Sequence, residues 1–131
     1  TNMKRHYIQT DRAPAAIGTY SQAISDGHTL YVSGQVPLVP SNGELVGEDI
    51  ATQTQQVFDN LSAVATAAGT SLDHTLKITL FLTDLNHFAV INDIMAARLQ
   101  EPYPARAVVE VSRLPRDVLV EADAIVLLNQ D

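Results

Sequence analysis

Two prolines in the last third of the chain, Pro102 and Pro104, impose the sharpest constraint on the fold. Proline has no amide hydrogen and disfavours helix in the residue before it, so the helical pattern that precedes it must stop near Glu101. The following segment, RAVVEVS at 106–112, alternates like a strand. The chain therefore turns from helix to strand at this corner. The strand begins with Arg106, which needs a partner if it enters a buried sheet, because an unpaired buried charge costs several kcal/mol.

Hydrophobic periodicity predicts the other elements. Helical spacing covers residues 50–68 and about 86–99, while period-two alternation covers 28–36, 75–84 and 119–128, with a hairpin turn predicted at Asp26-Gly27. This order favours an α+β domain in which two helices cover one face of a mixed sheet. We expect residues 1–131 to form one domain. Because no further helix is predicted for the second face of the sheet, we expect oligomerisation to cover it.

The alternation also predicts which side chains face the core. In the strand at 28–36 the inward set is Leu30, Val32, Gly34 and Val36, and in the strand at 75–84 it is Leu76, Ile78, Leu80 and Leu82. We expect the strand at 75–84 to be central. The strands at 106–112 and 119–128 are predicted to pair antiparallel across the short link at 114–117.

Charge and composition exclude several classes of function. The formal net charge of −7 provides no basic surface for nucleic acid or anionic lipid, so we expect neither partner. An anionic small molecule would need its own concentrated positive charge, for which Arg106 is a candidate. The chain has no cysteine and no long apolar run, which predicts a cytoplasmic protein without thiolate chemistry. Four histidines lack metal-ligand spacing, so we predict no metal site: His6, His28, His74 and His87.

The candidate chemical groups are a cation and carboxylates in apolar strands. Arg106 could pair with a carboxylate in a structural salt bridge, or it could bind an anionic ligand. Glu121 and Asp123 share one face of the last strand, where desolvation would raise the pKa of a carboxyl and suit it to proton transfer. Either carboxylate could instead neutralise Arg106 or Arg113. The remaining candidates are polar residues able to orient a ligand: Tyr20, Ser33 and Asn92.

Several stretches of the sequence together resemble one known family. They are APAAIGTYSQAI (13–24), LYVSGQVPL (30–38), KITLFLTDLNHFAVIN (77–92) and YPARAVVEVSRLPRDVLVEADAI (103–125). They resemble the RidA (YjgF/YER057c) family of imine deaminases over residues 10–127. The resemblance implies a chorismate-mutase-like α+β fold assembled as a homotrimer with clefts between subunits. It also implies hydrolysis of 2-imino and enamine acids, of the 2-iminobutanoate and 2-iminopropanoate type, to 2-keto acids and ammonia without a cofactor or metal.

The same resemblance implies roles for particular residues. Arg106 matches the family's arginine that binds the substrate carboxylate, and Glu121 matches its glutamate that positions and deprotonates water. The implied substrate-binding positions are Tyr20, Ser33, Gly34, Asn92 and Val108 together with Arg106. Val108 replaces a frequent cysteine at a position thought to act through its backbone.

Three further departures from the family pattern are visible. Thr19 and Asp123 replace a common proline and glutamate, and the segment between Asn92 and Pro102 is about three residues shorter, which leaves substrate size open. Two alternatives to the deaminase remain. One is a regulatory trimer that binds small carboxylates or keto acids without turnover. The other is an RNA-cleaving translation inhibitor, against which the acidic charge argues.

Overall fold

A computed structural model describes residues 4–129, which form a six-stranded sheet and two helices. The strands are β1 (His6–Ile8), β2 (Ala23–Ser25), β3 (Thr29–Gln35), β4 (Thr75–Leu82), β5 (Ala105–Glu110) and β6 (Val120–Leu127), and the helices are α1 (Ile50–Ala67) and α2 (Phe88–Arg98). Strand order across the sheet is β1-β2-β3-β6-β4-β5. Only β4 and β5 are parallel, so the sheet is mixed. The predicted α+β class is confirmed.

Both helices lie on one face of the sheet, and we call the other face the open face. Helix α1 begins where the Asp49 carboxylate accepts a hydrogen bond from the Thr52 amide at 2.9 Å, and it ends before Gly69, whose φ of +83° suits a glycine. The core lies between helices and sheet and includes Phe58, Leu61, Leu80, Ile91 and Val126. These residues come from both helices and from the neighbouring strands β4 and β6, so one core joins the helices to the sheet.

The strands β5 and β6 do not pair, contrary to the sequence-based prediction. Strand β4 lies between them, paired parallel with β5 and antiparallel with β6. Helix α2 provides the crossover that a parallel connection from β4 to β5 requires. Strand β4, predicted to be central, is an interior strand paired on both sides but lies next to the edge strand β5. Arg106 is therefore exposed on an edge strand rather than enclosed in a buried one.

Register irregularities overturn two of the predicted inward positions. The pairing of β3 with β6 shifts between Val32 and Gln35, so Gln35 is buried and Gly34 is exposed. A similar shift between Thr75 and Lys77 leaves Leu76 46% exposed. An extra residue in one strand reverses the faces of the residues beyond it, which strict alternation does not foresee.

A buried glutamine anchors the N-terminal segment to the sheet, and its loss should cost stability. The Gln22 amide donates to the carbonyls of Thr10 and Pro14 at 3.0 and 2.9 Å, and its Oε1 accepts from the Thr10 amide at 2.7 Å. Gln22→Ala leaves these backbone groups without that partner, so we expect the free energy of unfolding to fall by about 2–3 kcal/mol. Urea denaturation measures it. The matched control is Gln9→Ala at an exposed position, which should change stability by less than ~0.5 kcal/mol; equal losses in the two variants would contradict the anchoring role.

Candidate active site

The predicted arginine lies against helix α2, held by three of its side chains. Arg106 Nη1 donates to Asn92 Oδ1 at 2.7 Å and lies 3.9 Å from Met95 Sδ, and its guanidinium carbon is 5.1 Å from the centroid of the Phe88 ring. The spacing of these helical residues, four and then three positions, places them on one side of α2. We call Arg106, Asn92 and Val108 the arginine cluster. Val108 lies on the same face of β5 as Arg106 and packs partly buried against the core.

One edge of the Arg106 guanidinium has no protein partner within residues 4–129. Its two hydrogen bonds both use Nη1, which leaves Nε and Nη2 without an acceptor there. The salt bridges in the same range join other residues, Arg98 to Asp59 and Arg113 to Asp117, each at 2.9 Å. The structural salt bridge considered for Arg106 is therefore absent from this part of the chain. The free edge offers two parallel N–H donors, the arrangement that binds a carboxylate bidentately.

A second group of predicted residues lies on the open face, where Gly34 adjoins Glu121 and the preceding residue, Ser33, shares a cavity with Tyr20. The bulge in β3 brings Gly34 against this carboxylate, and a Cβ built on Gly34 would lie 3.0 Å from Glu121 Cδ and closer still to Oε2. A side chain at position 34 would push the Glu121 carboxylate away from this position. Ser33 precedes Gly34, and its hydroxyl donates to the Ser21 carbonyl at 2.6 Å. Ser33 and Tyr20 both line a cavity of about 710 Å³ on this face. We call Tyr20, Ser33, Gly34 and Glu121 the glutamate cluster.

Burial shapes the proton affinity of the two carboxylates on β6. Desolvation raises the pKa of Glu121 above its ordinary value, and the negative charge of Asp123 raises it further. Desolvation also raises the pKa of Asp123, partly offset by the positive charge of Lys77. The two carboxylates share one face of β6, as the alternation predicted. A half-buried carboxylate of raised pKa is a better proton acceptor than an ordinary exposed one.

The two clusters lie on opposite faces of the sheet. Arg106 is paired with Ile78, which is buried beneath the helices, whereas Glu121 is paired with Phe81 on the open face. Residues paired across neighbouring strands share a face, so Arg106 and Glu121 point in opposite directions and are separated by β4. A single chain thus brings the predicted residues together in two groups. It does not bring the arginine and the glutamate to one small molecule.

Sequence reasoning missed several residues beside these clusters. Phe88 has the helical spacing of a core residue, but it is 38% exposed and lies against the Arg106 guanidinium. Arg5, Tyr7 and Tyr31 line the cavity that contains Tyr20. Alternation shows on which side of its own strand each tyrosine lies, but it does not show which residues of other strands lie beside it. The pairing of β1 with β2 and of β2 with β3 places Tyr7 and Tyr31 on the same face, on either side of Ile24.

Two searches of the described part of the chain concern other classes of site. Residues 4–129 contain no group of three histidine, aspartate or glutamate side chains placed to hold a metal ion. In the same residues, neither helix is long and apolar enough to cross a membrane. Of the four histidines, His6, His28 and His74 are exposed and His87 is half-buried.

Comparison with known proteins places the chain in a family. The family model described as Endoribonuclease L-PSP matches residues 10–128. A RutC family protein of Pyrococcus horikoshii is 49% identical over 121 residues, which cover 92% of this chain and 96% of that protein. This chain belongs to the RidA (YjgF) family. A RidA family protein of mouse, named 2-iminobutanoate/2-iminopropanoate deaminase, is 43% identical over 92% of this chain and 90% of its own length.

The fold of a RidA protein is also that of this chain. The crystal structure of RidA from the Antarctic bacterium Psychrobacter superposes with a TM-score of 0.91, at 49% identity, and the match covers 94% of this chain and 99% of the other. The family and the fold that the sequence resemblance implied are therefore confirmed. The residue roles carried over with that resemblance stay predictions.

Proposed function

We propose that this protein hydrolyses 2-imino acids and their enamine tautomers to 2-keto acids and ammonia. The observation that carries the proposal is the unpartnered Nε/Nη2 edge of Arg106, held in place by Asn92 and Phe88. Such an edge suits a planar carboxylate, which every 2-imino acid has. The name of the mouse relative, 2-iminobutanoate/2-iminopropanoate deaminase, supports the same substrate class.

The reaction requires that the substrate carboxylate be held in place and that a group of the protein accept a proton from water. With the substrate carboxylate on Arg106, the enamine tautomerises to the imine, and water adds to the carbon of the C=N bond. Glu121 accepts a proton from that water, and the resulting carbinolamine takes up a proton on nitrogen and expels ammonia as the C=O bond forms. The balance is one imino acid and one water giving one keto acid and one ammonia. Every step uses acid–base groups of the chain and water, so we propose no cofactor and no metal.

The proposal requires a second copy of the chain, because Arg106 and Glu121 lie on opposite sheet faces. We propose a homotrimer in which the arginine cluster of one copy meets the glutamate cluster of the next. Closing the open face against neighbouring copies would bury its exposed apolar side chains, including Tyr31 at 51% and Val109 at 40%. Light scattering should then give a mass three times the 14.2 kDa of the chain.

A trapping assay tests the activity directly. An amino-acid oxidase generates 2-iminopropanoate from alanine or 2-iminobutanoate from 2-aminobutanoate, and semicarbazide traps whatever imine persists. We expect the purified protein to lower semicarbazone formation in proportion to its concentration, because it competes for the imine. The matched control is the same protein after heat denaturation.

The other outcomes of the assay separate the alternative functions. Imine loss equal to that of the denatured control, with 2-keto acids still bound, would favour the regulatory carboxylate-binding trimer over the deaminase. Ribonuclease activity that stays with the trimer through successive purification steps, and is lost in Arg106→Ala, would favour the RNA-cleaving alternative. Disappearance of ribonuclease activity on further purification would exclude it.

A further inference from the structure

A pocket of about 420 Å³ adjoins the Arg106 guanidinium on the helix face of the sheet. Its lining residues are Asn92, Met95, Ala96, Tyr103, Pro104 and Arg106. The polar groups, Arg106 and Asn92, are hydrogen-bonded to each other and so lie together. Apart from the Tyr103 hydroxyl, the other lining side chains are apolar. The pocket thus combines a carboxylate-binding group with an apolar surface beside it, as small-molecule sites commonly do.

The pocket is larger than the smallest imino acids need. A three-carbon imino acid has six non-hydrogen atoms, and even at the ~30 Å³ that one water occupies in the liquid these would fill less than ~200 Å³. The pocket volume is about 420 Å³. A ligand whose carboxylate is on Arg106 therefore has space for a longer side chain against Met95 and Ala96. The flexible thioether of Met95 can adapt to ligands of different shapes.

We propose that this pocket is the side-chain subsite of the deaminase and that Ala96 sets its size. The preferred substrates are then 2-imino acids whose apolar side chains have about four or more non-hydrogen atoms, such as those formed from leucine, methionine or phenylalanine. This inference rests on the proposed function, since it assigns a substrate class to the same site. None of the six lining residues carries a negative charge and only Arg106 carries a positive one, so the pocket offers no partner for a cationic side chain.

Helix geometry explains why Ala96 is the controlling position. Ala96 follows Asn92 by four residues, which places both on one side of α2, above Arg106. Helical side chains lean toward the N-terminus of the helix, so a large residue at 96 would extend over Asn92 and into the pocket. Ala97 is exposed and lies about 100° further around the helix, outside the lining set. It is the matched control for a substitution at Ala96.

Binding of stable 2-keto acids tests the subsite independently of turnover. Isothermal titration of the intact protein with pyruvate, 2-oxobutanoate, 4-methyl-2-oxopentanoate and phenylpyruvate gives a Kd for each side chain. We expect the two larger acids to bind at least tenfold more tightly than pyruvate, because each buried methylene contributes about fourfold. In Ala96→Phe this preference should fall below about twofold while the Kd of pyruvate changes less than threefold. In Ala97→Phe the preference should persist.

Failure of the subsite and failure of the deaminase proposal give different results. Kd values that do not depend on side-chain length, or equal effects of Ala96→Phe and Ala97→Phe, would overturn the subsite. The imines of leucine and phenylalanine, generated by an amino-acid oxidase, supply the turnover measurement. If none of the imines is turned over while the keto acids still show the length dependence abolished by Ala96→Phe, the deaminase proposal is wrong and the subsite stands.

Discussion

Replacing Arg106 with alanine should abolish turnover of 2-iminopropanoate and leave the folded protein intact. The Nε/Nη2 edge can donate two charge-assisted hydrogen bonds to a carboxylate, each contributing about 1.5–3 kcal/mol. Loss of both should lower kcat/KM by a factor on the order of 10²–10⁴. The side chain is exposed on the edge strand β5, so its removal should shift the free energy of unfolding by less than about 1 kcal/mol. Semicarbazide trapping measures the first quantity and urea denaturation the second.

Two further variants separate the geometry of Arg106 from its charge. Arg106→Lys retains a positive charge but lacks the planar fork, so we expect it to recover no more than about a tenth of the wild-type kcat/KM. Arg113→Ala removes an equally charged residue that is paired with Asp117 at 2.9 Å, away from the arginine cluster. This control should keep wild-type activity. Turnover by Arg106→Ala at the level of Arg113→Ala would show that Arg106 does not bind the substrate.

The sequence predicted elements and burial faces well where they depend on local periodicity. The helical spacing of Val57, Leu61 and Val64 and the alternation of Ile78, Leu80 and Leu82 follow from one-sided burial, and all six residues are buried. Strand partners depend on crossovers that local patterns do not encode. The antiparallel pairing predicted for β5 and β6 was therefore wrong, since the crossover through α2 places β5 parallel to β4.

The candidate site also depends on strand pairing that local periodicity does not encode. Alternation correctly put Arg106 and Val108 on one face of their strand and Glu121 and Asp123 on one face of theirs. It could not relate the faces of two different strands, because β5 has half-buried residues on both of its faces and alternation does not give the register between strands. The opposite orientation of Arg106 and Glu121 therefore emerged only from the register. Similarly, the contact between Gly34 and Glu121 depends on a bulge that has no signature in the alternation pattern.

Glu121→Gln should lower kcat for imine hydrolysis by a factor on the order of 10²–10⁴ with little change in keto acid binding. Glutamine has nearly the same size as glutamate and can still contact water, but it cannot accept the proton. The expected loss follows because general base catalysis contributes a factor of about 10²–10⁴ to the rate. The Kd of 2-oxobutanoate should stay within threefold of wild type because the carboxylate binds to Arg106. Steady-state trapping kinetics give kcat, and calorimetric titration gives the Kd.

The pH dependence of kcat tests whether Glu121 is the base. Burial and the charge of Asp123 raise the pKa of Glu121 above its ordinary value of 4.5, and the base must be ionised to act. In the wild type kcat should therefore fall as pH decreases through this raised pKa, and in Glu121→Gln that limb of the profile should disappear. The control Asp123→Asn removes a negative charge beside Glu121. It should lower the pKa of Glu121, move the limb to lower pH and keep kcat at pH 8 within tenfold of wild type.

Stability distinguishes loss of the base from damage to the fold. A carboxyl with a raised pKa binds its proton more tightly in the folded chain than in the unfolded one, so its contribution to stability is fully present below pH 4.5 and is lost as pH rises through the raised pKa. At pH 7 a buried neutral amide at 121 replaces a desolvated charge, and Glu121→Gln should unfold at the same or a higher urea concentration than wild type. If Glu121→Gln were both less stable and slower than wild type, the loss of kcat would be explained by damage to the fold. An unchanged acid limb in Glu121→Gln would assign the base to another group.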